Sequence, residues 1–467
     1  MTEMASIISP VNAAQYAQRP YLSEAEARQS VVKAAAAQCQ WQATPLEQRI
    51  EVLGRAIDLL NEQRDEVADE LAWQMGRPVS QGGGEVNGFS ERARYMLQIA
   101  PRALADLEMP DKPGFKRYIR RDPVGVVLTI APWNFPYMTA VNTVWPALAA
   151  GNAVLLKHAQ QTLLCAERLQ RVLEQAGVPE SVFQAVTLSH ETTAAILQEP
   201  SIRFVSFTGS VRGGQSIQQA IAASGQFAGT ALELGGKDPA YVRADADIAG
   251  AAINLADGVF FNSGQSCCSV ERIYVHQDVY QTFVDALVAE ARKLVLGDPL
   301  QPTTTLGPLV KASAADFVRG QIADAVKSGA TALIRPGDFP KDQPGTAYLA
   351  PQILTGVNHS MRVMTEESFG PVVGIMPVAS DEEAVNLMND SEFGLTASIW
   401  TRDSHVAERL GSDIQTGTLF MNRCDVLDPA LAWTGVKQTG RGACLSELGY
   451  DTLTQPKSFH LRLPSGD

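Results

Sequence analysis

Between residues 24 and 74 the chain is rich in alanine, and apolar residues return three and four positions apart, at Ile50, Leu53, Ile57 and Leu60. That spacing belongs to helices with one buried stripe. The texture changes at Val124. From there short apolar runs alternate with amphipathic stretches. Val124 to Ile130, Ala153 to Leu156, Phe183 to Leu188 and Arg203 to Phe207 read as buried strands, with helices over residues 139–149, 162–175, 191–198 and 211–223 between them. Strands without polar alternation are covered on both faces, and strands alternating with helices build a parallel sheet. A second alternating block from about Glu233 to Met421 predicts a second α/β lobe. Lys116 to Asp122 and Thr454 to Leu463 fit neither lobe: they are polar, extended and rich in Lys, Arg or His. No repeat or low-complexity tract interrupts the pattern.

A chain of 467 residues is too long for one core, which predicts two or three domains. Its 45% hydrophobic and 19% charged residues are the proportions of a soluble globular protein. The net charge of −13 argues against a nucleic-acid surface, which needs a basic face. Met1-Thr2-Glu3-Met4-Ala5-Ser6 has neither a basic start nor an apolar core, so no secretory signal is expected. No apolar run reaches the roughly 18–20 residues that cross a bilayer, so no membrane partner is expected. The six cysteines show no CxxC spacing and the six histidines are scattered singly. A reducing cytoplasm is the expected location, with no metal.

Candidate chemistry centres on Phe261-Asn262-Ser263-Gly264-Gln265-Ser266-Cys267-Cys268. A cysteine after an Asn-x-Gly-Gln turn has the setting of a presented nucleophile, although free thiols are usually core residues. The rest of the chain favours the nucleophile. Glu233 lies in Leu232-Glu233-Leu234-Gly235-Gly236-Lys237, Asn134 in Ala131-Pro132-Trp133-Asn134-Phe135-Pro136, and Glu366-Glu367-Ser368-Phe369-Gly370-Pro371 follows downstream. These motifs, in this order, resemble the aldehyde dehydrogenase superfamily from about Tyr118 to about Phe459.

The resemblance implies an α/β fold. A Rossmann-like cofactor domain would span 1–111 and 124–232, a catalytic α/β domain 233–451, and a small β arm 112–123 and 452–467. The arm would pair with another subunit in a homodimer or homotetramer. The implied reaction is NAD(P)-dependent oxidation of an aldehyde to the acid. An aldehyde carbon yields a hydride only after becoming tetrahedral, so Cys267 would attack it. Glu233 would be the general base for thioester hydrolysis. Asn134 and the Cys267 N–H would form the oxyanion hole. Trp133, Lys157, Gln160, Gly209, Ser210, Leu234, Gly235, Glu367 and Phe369 would hold the cofactor. Phe135, Thr139, Asn142, Ser266, Cys268, Leu427 and Trp433 would face the substrate.

Three departures from the family pattern change what is expected. Gln160 stands where NAD-preferring members often carry a glutamate that repels a 2′-phosphate, so use of both NAD and NADP is expected. Thr143 and Cys444 stand where many members have the lysine and glutamate of a proton exit, so Glu233 needs another route. Thr139 and Asn142 replace bulkier residues of the substrate helix, and the arginine that some succinate-semialdehyde enzymes place there is missing. Three rival functions are weaker. A coenzyme-A-acylating member would lack Glu233, and a non-catalytic relative would degrade the three catalytic residues. A thiol hydrolase would leave the Gly209 and Glu367 segments without purpose.

Overall fold

The computed structural model describes residues 3–464. Met1 and Thr2 of the expected signal-free terminus, and residues 465–467 of the expected arm, lie outside the described residues. The alanine-rich region forms the helices Glu24–Trp41, Leu46–Glu62 and Arg64–Met75, followed by the long helix Val79–Ala103. Ser23 and Glu26 close a reciprocal capping box on the first, which satisfies N–H groups that a helix start leaves open. Among the described residues no helix is long and apolar enough to cross a membrane.

The first α/β block builds a six-stranded sheet in the order Gly440–Arg441, Gly229–Glu233, Ile202–Thr208, Val126–Ala131, Ala153–His158, Phe183–Ala185. Its neighbours are parallel except at Gly440–Arg441, which returns from far downstream and runs antiparallel to Gly229–Glu233. That return matters, because it carries Cys444 back towards Glu233. The second block forms a seven-stranded sheet whose centre is Val372–Val378, Val270–His276, Asp238–Val242 and Thr396–Trp400, all parallel. One sheet ends at Glu233 and the next begins at Asp238, so the short link Leu234–Lys237 passes between them.

Thr454–Arg462 pairs antiparallel with Phe115–Pro123 over its whole length, from Thr454 opposite Pro123 to Arg462 opposite Phe115. Tyr118 and Phe459 stack across this ladder at 4.5 Å. The two polar segments thus pair with each other, and Thr454–Arg462 remains the outer edge of a three-stranded sheet. A hairpin of Met4–Ile8 with Gln15–Pro20, which the apolar pattern did not announce, lies beside the first sheet.

The helix Pro136–Ala150 is the packing centre of the first block, buried on nearly every face. Pro136 opens it where no N–H is needed, and Gly151 closes it in the left-handed conformation at φ 94°. Trp145 meets Phe89 edge-on at 4.7 Å, which locks this helix to Val79–Ala103. Glu85 on that neighbour accepts from the Tyr137 N–H at 2.9 Å and the Met138 N–H at 3.0 Å. A carboxylate at a helix N-terminus complements both its open donors and its dipole. The helix and the Asn134 loop ahead of it are therefore fixed as one body.

Candidate active site

The helix Ile248–Phe260 stops at a turn that no regular structure allows. Asn262 (φ 51°) and Ser263 (φ 58°) are both left-handed without being glycine, and Gly264 follows at φ 70°. Such backbone is costly and persists only where its surroundings enforce it. The enforcement is visible. Asn262 Nδ2 donates to the carbonyls of Asn134 and Gln265, both at 3.2 Å, and its Oδ1 accepts from Arg77 Nε at 3.2 Å. Gln265 Oε1 accepts from the Val310 N–H at 2.8 Å. At Gly264 a side chain would strike the Gly370 carbonyl, so the turn sits directly against the Gly370-Pro371 segment.

This turn separates the two thiols. Cys268 is buried and donates to Asp425 Oδ1 at 2.9 Å. Contact with the neighbouring Cys267, together with burial, pushes the Cys268 thiol well up, while burial pushes the Asp425 carboxyl well up. Cys267 is half-buried, and its backbone N–H has no hydrogen-bond partner among the described residues. Asn134 approaches from the other side. One of its amide N–H groups reaches the Gln265 carbonyl at 3.1 Å, and its own carbonyl accepts from Arg77 Nη2 at 2.5 Å. Arg77 in turn pairs with Glu85 inside the protein and lies over the Phe135 ring at 4.5 Å. The Cys267 carbonyl packs so closely on Gly236 that any side chain there would collide with it.

Glu233 ends its strand half-buried, three residues before that contact. Its Oε1 accepts from Cys444 Sγ at 2.7 Å and its Oε2 from Thr208 Oγ1 at 3.4 Å. Burial raises the Glu233 carboxyl, and the Cys444 hydrogen bond and the Arg92 charge oppose that rise. Cys444 is held by paired backbone hydrogen bonds with Trp433, at 2.8 and 3.0 Å. The two departures thus have separate fates: Cys444 touches Glu233, and Thr143 hydrogen-bonds Ser206 at 2.8 Å.

A cleft of about 1030 Å³ runs along the ends of the first sheet's strands, lined by Trp133, Lys157, Gln160, Gly209 and Ser210. Its donor set fits a dinucleotide. Ser210 caps the helix Val211–Ser224, whose N-terminal N–H groups and flanking glycines suit a pyrophosphate. Lys157 is buried without an ion-pair or hydrogen-bond partner among the described residues, and burial pushes its ammonium down. Neither ring nitrogen of His158 has a partner either. Gln160 faces the cleft with its amide already engaged, accepting from Tyr21 OH at 3.0 Å and donating to the Ser6 carbonyl at 2.7 Å. Lys157 is not the sole cation there: Arg171, Arg212 and Lys311 line the same cleft.

At the inner end, Glu367 and Phe369 face a smaller pocket together with Trp133. Glu367 accepts from the Gly236 N–H at 2.9 Å, and a side chain at Gly235 would sit 2.6 Å from its carboxylate. Burial and then the Glu271 charge push the Glu367 carboxyl up to about 7. Phe369 is left-handed at φ 52° and meets Trp133 edge-on at 5.5 Å. Glu271 imposes this shape by accepting from the Ser368 N–H at 2.8 Å and the Phe369 N–H at 2.9 Å, and it pairs with Lys237 at 2.5 Å. Leu234 fills the space beside Gly214 on the phosphate helix.

The expected substrate residues divide in two. Leu427 and Trp433 pack on the core cluster that holds Cys267, Cys268 and Cys444. Thr139 and Ser266 spend their hydroxyls locally, Thr139 on the Phe135 carbonyl at 2.6 Å and Ser266 on Asp425 at 3.4 Å. Asn142 Oδ1 accepts from Arg92 at 3.3 Å. Arg77, Glu85, Arg92 and Glu271 were not legible as site residues. Glu271 gave a usable signal, an acid inside the apolar run Val270–His276, because a buried charge must be paired. Arg92, within Glu91-Arg92-Ala93-Arg94, gave none.

The profile of the Aldehyde dehydrogenase family matches residues 1–459. A succinate-semialdehyde dehydrogenase [NADP(+)] of Mycobacterium avium (strain 104) is 38% identical over 418 residues, which are 89% of this chain and 87% of that protein. The solved succinate-semialdehyde dehydrogenase of Burkholderia pseudomallei superposes with a TM-score of 0.94 at 30% identity, over 99% of this chain and 95% of that one. The NADP-dependent glyceraldehyde-3-phosphate dehydrogenase of Bacillus halodurans C-125, solved with NADP, superposes at 0.92 with 30% identity, over 99% and 96% of the two chains. Matched by the family profile over nearly its whole length and by relatives in both sequence and fold, the chain belongs to the aldehyde dehydrogenase family.

Proposed function

We propose that this aldehyde dehydrogenase converts a semialdehyde to the free acid, with Cys267 as nucleophile, Glu233 as general base and Asn134 as oxyanion donor. The observation that carries the assignment is the half-buried Cys267 with an N–H unpartnered among the described residues, two residues after the Gln265 carbonyl that the Asn134 amide holds and packed against Gly236. Its thiolate forms a bond to the aldehyde carbon, and the resulting oxyanion meets the Cys267 N–H and the Asn134 amide. Bound NAD or NADP supplies the hydride acceptor. Glu233 then takes a proton from water, whose oxygen attacks the thioester carbon. The carbon–sulfur bond breaks, which releases the acid and returns Cys267. Asp425 keeps Cys268 out of the reaction by holding its proton in a hydrogen bond. The names of the relatives support a semialdehyde as substrate, and a reducing cytoplasm suits a mechanism that needs a free thiol.

Cys267→Ala should abolish formation of reduced cofactor with succinate semialdehyde while leaving cofactor binding intact, and Cys268→Ala should stay active. Glu233→Gln should keep a pre-steady-state burst but slow steady turnover by about a hundred- to ten-thousand-fold. Stopped-flow absorbance reads both. A dead Cys268→Ala beside an active Cys267→Ala would reverse the assignment.

The 2′-phosphate of NADP meets no glutamate at position 160, where two charges about 4 Å apart would repel by about 4 kcal/mol at an effective dielectric of 20. Both cofactors should therefore work, and Gln160→Glu should shift the ratio of kcat/KM values towards NAD. Rejection of NADP by the parent enzyme would place selectivity elsewhere.

Glu367 should make cofactor affinity pH-dependent. Its carboxyl is protonated below about 7 and ionised above, and only the ionised form accepts hydrogen bonds from both hydroxyls of the nicotinamide ribose. The Kd for NAD or NADP, followed by fluorescence quenching, should fall by about three- to tenfold as pH rises from 6 to 8. Glu367→Gln should flatten that slope; an unchanged slope would remove Glu367 from the ribose site.

The outer edge Thr454–Arg462 leaves backbone groups unpaired, and pairing such edges between subunits removes that liability. A homodimer or homotetramer is the expected assembly. Sedimentation at micromolar concentration checks it, and a monomer would contradict it.

A further inference from the structure

Five arginines are buried among the described residues: Arg49, Arg77, Arg92, Arg168 and Arg272. Four are compensated. Arg77 pairs with Glu85, and Arg168 with Glu66 and Glu70. Arg49 donates to the carbonyls of Ala149, Gln42 and Thr44, and Arg272 donates to those of Lys237, Leu387, Asp390 and Met388. Arg92 is the exception. It is 8% exposed, forms no ion pair, and spends Nη1 alone, on the Met138 carbonyl at 2.6 Å and Asn142 Oδ1 at 3.3 Å. Its Nε and Nη2 donors have no partner among the described residues. A buried guanidinium with half its fork unused is costly unless an anion arrives to fill it.

Its position identifies which anion. Met138 and Asn142 belong to the helix Pro136–Ala150, which follows directly from the oxyanion residue Asn134. The titratable groups that act on the Arg92 charge are Glu85, Cys444, Cys268 and Glu233, the two thiols being pushed well up towards their neutral forms, Cys268 by contact with Cys267 and burial, Cys444 by burial first. Glu85 is already committed to Arg77, and Glu233 takes its hydrogen bonds from Cys444 and Thr208. Cys268 adjoins Cys267 in the chain and Cys444 bonds Glu233, so Arg92 acts on the surroundings of both the nucleophile and the base. The open part of the fork therefore serves something that reaches the site from outside and lies within a few bonds of the reacting carbon. We propose, resting on the aldehyde reaction assigned above, that Arg92 is a specificity-determining residue that receives the distal carboxylate of a short aldehyde bearing an acid group. Asn142 and the Met138 carbonyl aim the guanidinium by holding Nη1, which leaves the planar face of Nε and Nη2 for a two-point contact with carboxylate oxygens. Asp425 accepts from Cys268, and burial pushes its carboxyl well up towards the neutral form, which weakens its repulsion of an incoming acid. The arginine missing from the substrate helix is thus replaced by one reaching that helix from its neighbour Val79–Ala103.

The test compares succinate semialdehyde with butanal, an uncharged aldehyde of equal carbon number, in the parent, Arg92→Gln and Arg92→Lys enzymes. The parent should prefer succinate semialdehyde. Arg92→Gln should lower kcat/KM for it by about a hundredfold, chiefly through KM, and far more than for butanal, on which it loses only the charge that opposes the rise of Glu233. Arg92→Lys should recover part of the loss. Calorimetry should show succinate binding to the parent and not to Arg92→Gln, a readout that does not depend on turnover. A parent that favours butanal overturns the anchor while the aldehyde reaction stands. Equal losses on both aldehydes, with the acidic limb of the pH–rate profile moved upward, overturn it in favour of a positioning role towards Glu233. If neither aldehyde reacts, the reaction itself is misassigned, and succinate binding that depends on Arg92 still decides the anchor.

Discussion

The site depends on one buried ion pair. Arg77 and Glu85 are both sealed from solvent at the start of the helix Val79–Ala103, and each does more than neutralise the other. Glu85 also caps the substrate helix through the Tyr137 and Met138 N–H groups, and Arg77 also holds the Asn134 carbonyl and Asn262 Oδ1. Segments distant in sequence are thereby fixed to one another: the Asn134 loop with the helix that follows it, and the turn at Asn262. Hydrophobic residues of similar volume would serve stability as well or better, because taking two charges out of water is expensive. What the pair adds is direction. Its hydrogen bonds orient the Asn134 carbonyl and the Asn262 side chain, and an apolar contact has no preferred angle.

The same device recurs at the inner end of the cofactor cleft. Lys237 and Glu271 pair inside the second block, and Glu271 uses its remaining capacity on the N–H groups of Ser368 and Phe369. That contact imposes the left-handed Phe369 and places Glu367 beside Gly235 and Gly236. Where charges are structural, they are paired. Arg49 and Arg272 are instead satisfied by carbonyls, whereas buried Lys157 has no partner among the described residues and Arg92 uses only Nη1. Unpaired burial is unfavourable for the isolated protein and becomes favourable binding energy when the missing anion or hydroxyl arrives.

Much of this was legible in the chain. Apolar runs without alternation located the strands Val126–Ala131, Ala153–His158 and Ile202–Thr208, because strands covered on both faces have no polar side to show. The Asn134, Cys267 and Glu367 motifs stood out because each lies in a turn whose residues are set by backbone demands, and Glu233 because a charge ends an apolar strand. What stayed hidden was set by tertiary contact. The antiparallel return of Gly440–Arg441, which brings Cys444 onto Glu233, joins positions some two hundred residues apart and leaves no local trace. Arg92 lies among charged residues that read as a solvated helix face, and only the packing of two helices buries it. The hairpin Met4–Ile8 with Gln15–Pro20 is short and half polar, so its pattern carried no strand signal, yet Ser6 and Tyr21 beside it occupy the Gln160 amide.

The central claim is that the carbon being oxidised becomes covalently attached to Cys267 and is released by Glu233. Mass spectrometry of Glu233→Gln, quenched in acid shortly after mixing with aldehyde and NAD or NADP and then digested, tests it directly. The account predicts one acyl group per subunit, of the mass of the acid product less water, on the sulfur of Cys267 in the peptide that carries Asn262 to Cys268. An acyl group on Cys268 or Cys444, or an unmodified peptide from enzyme that has already made reduced cofactor, would contradict it.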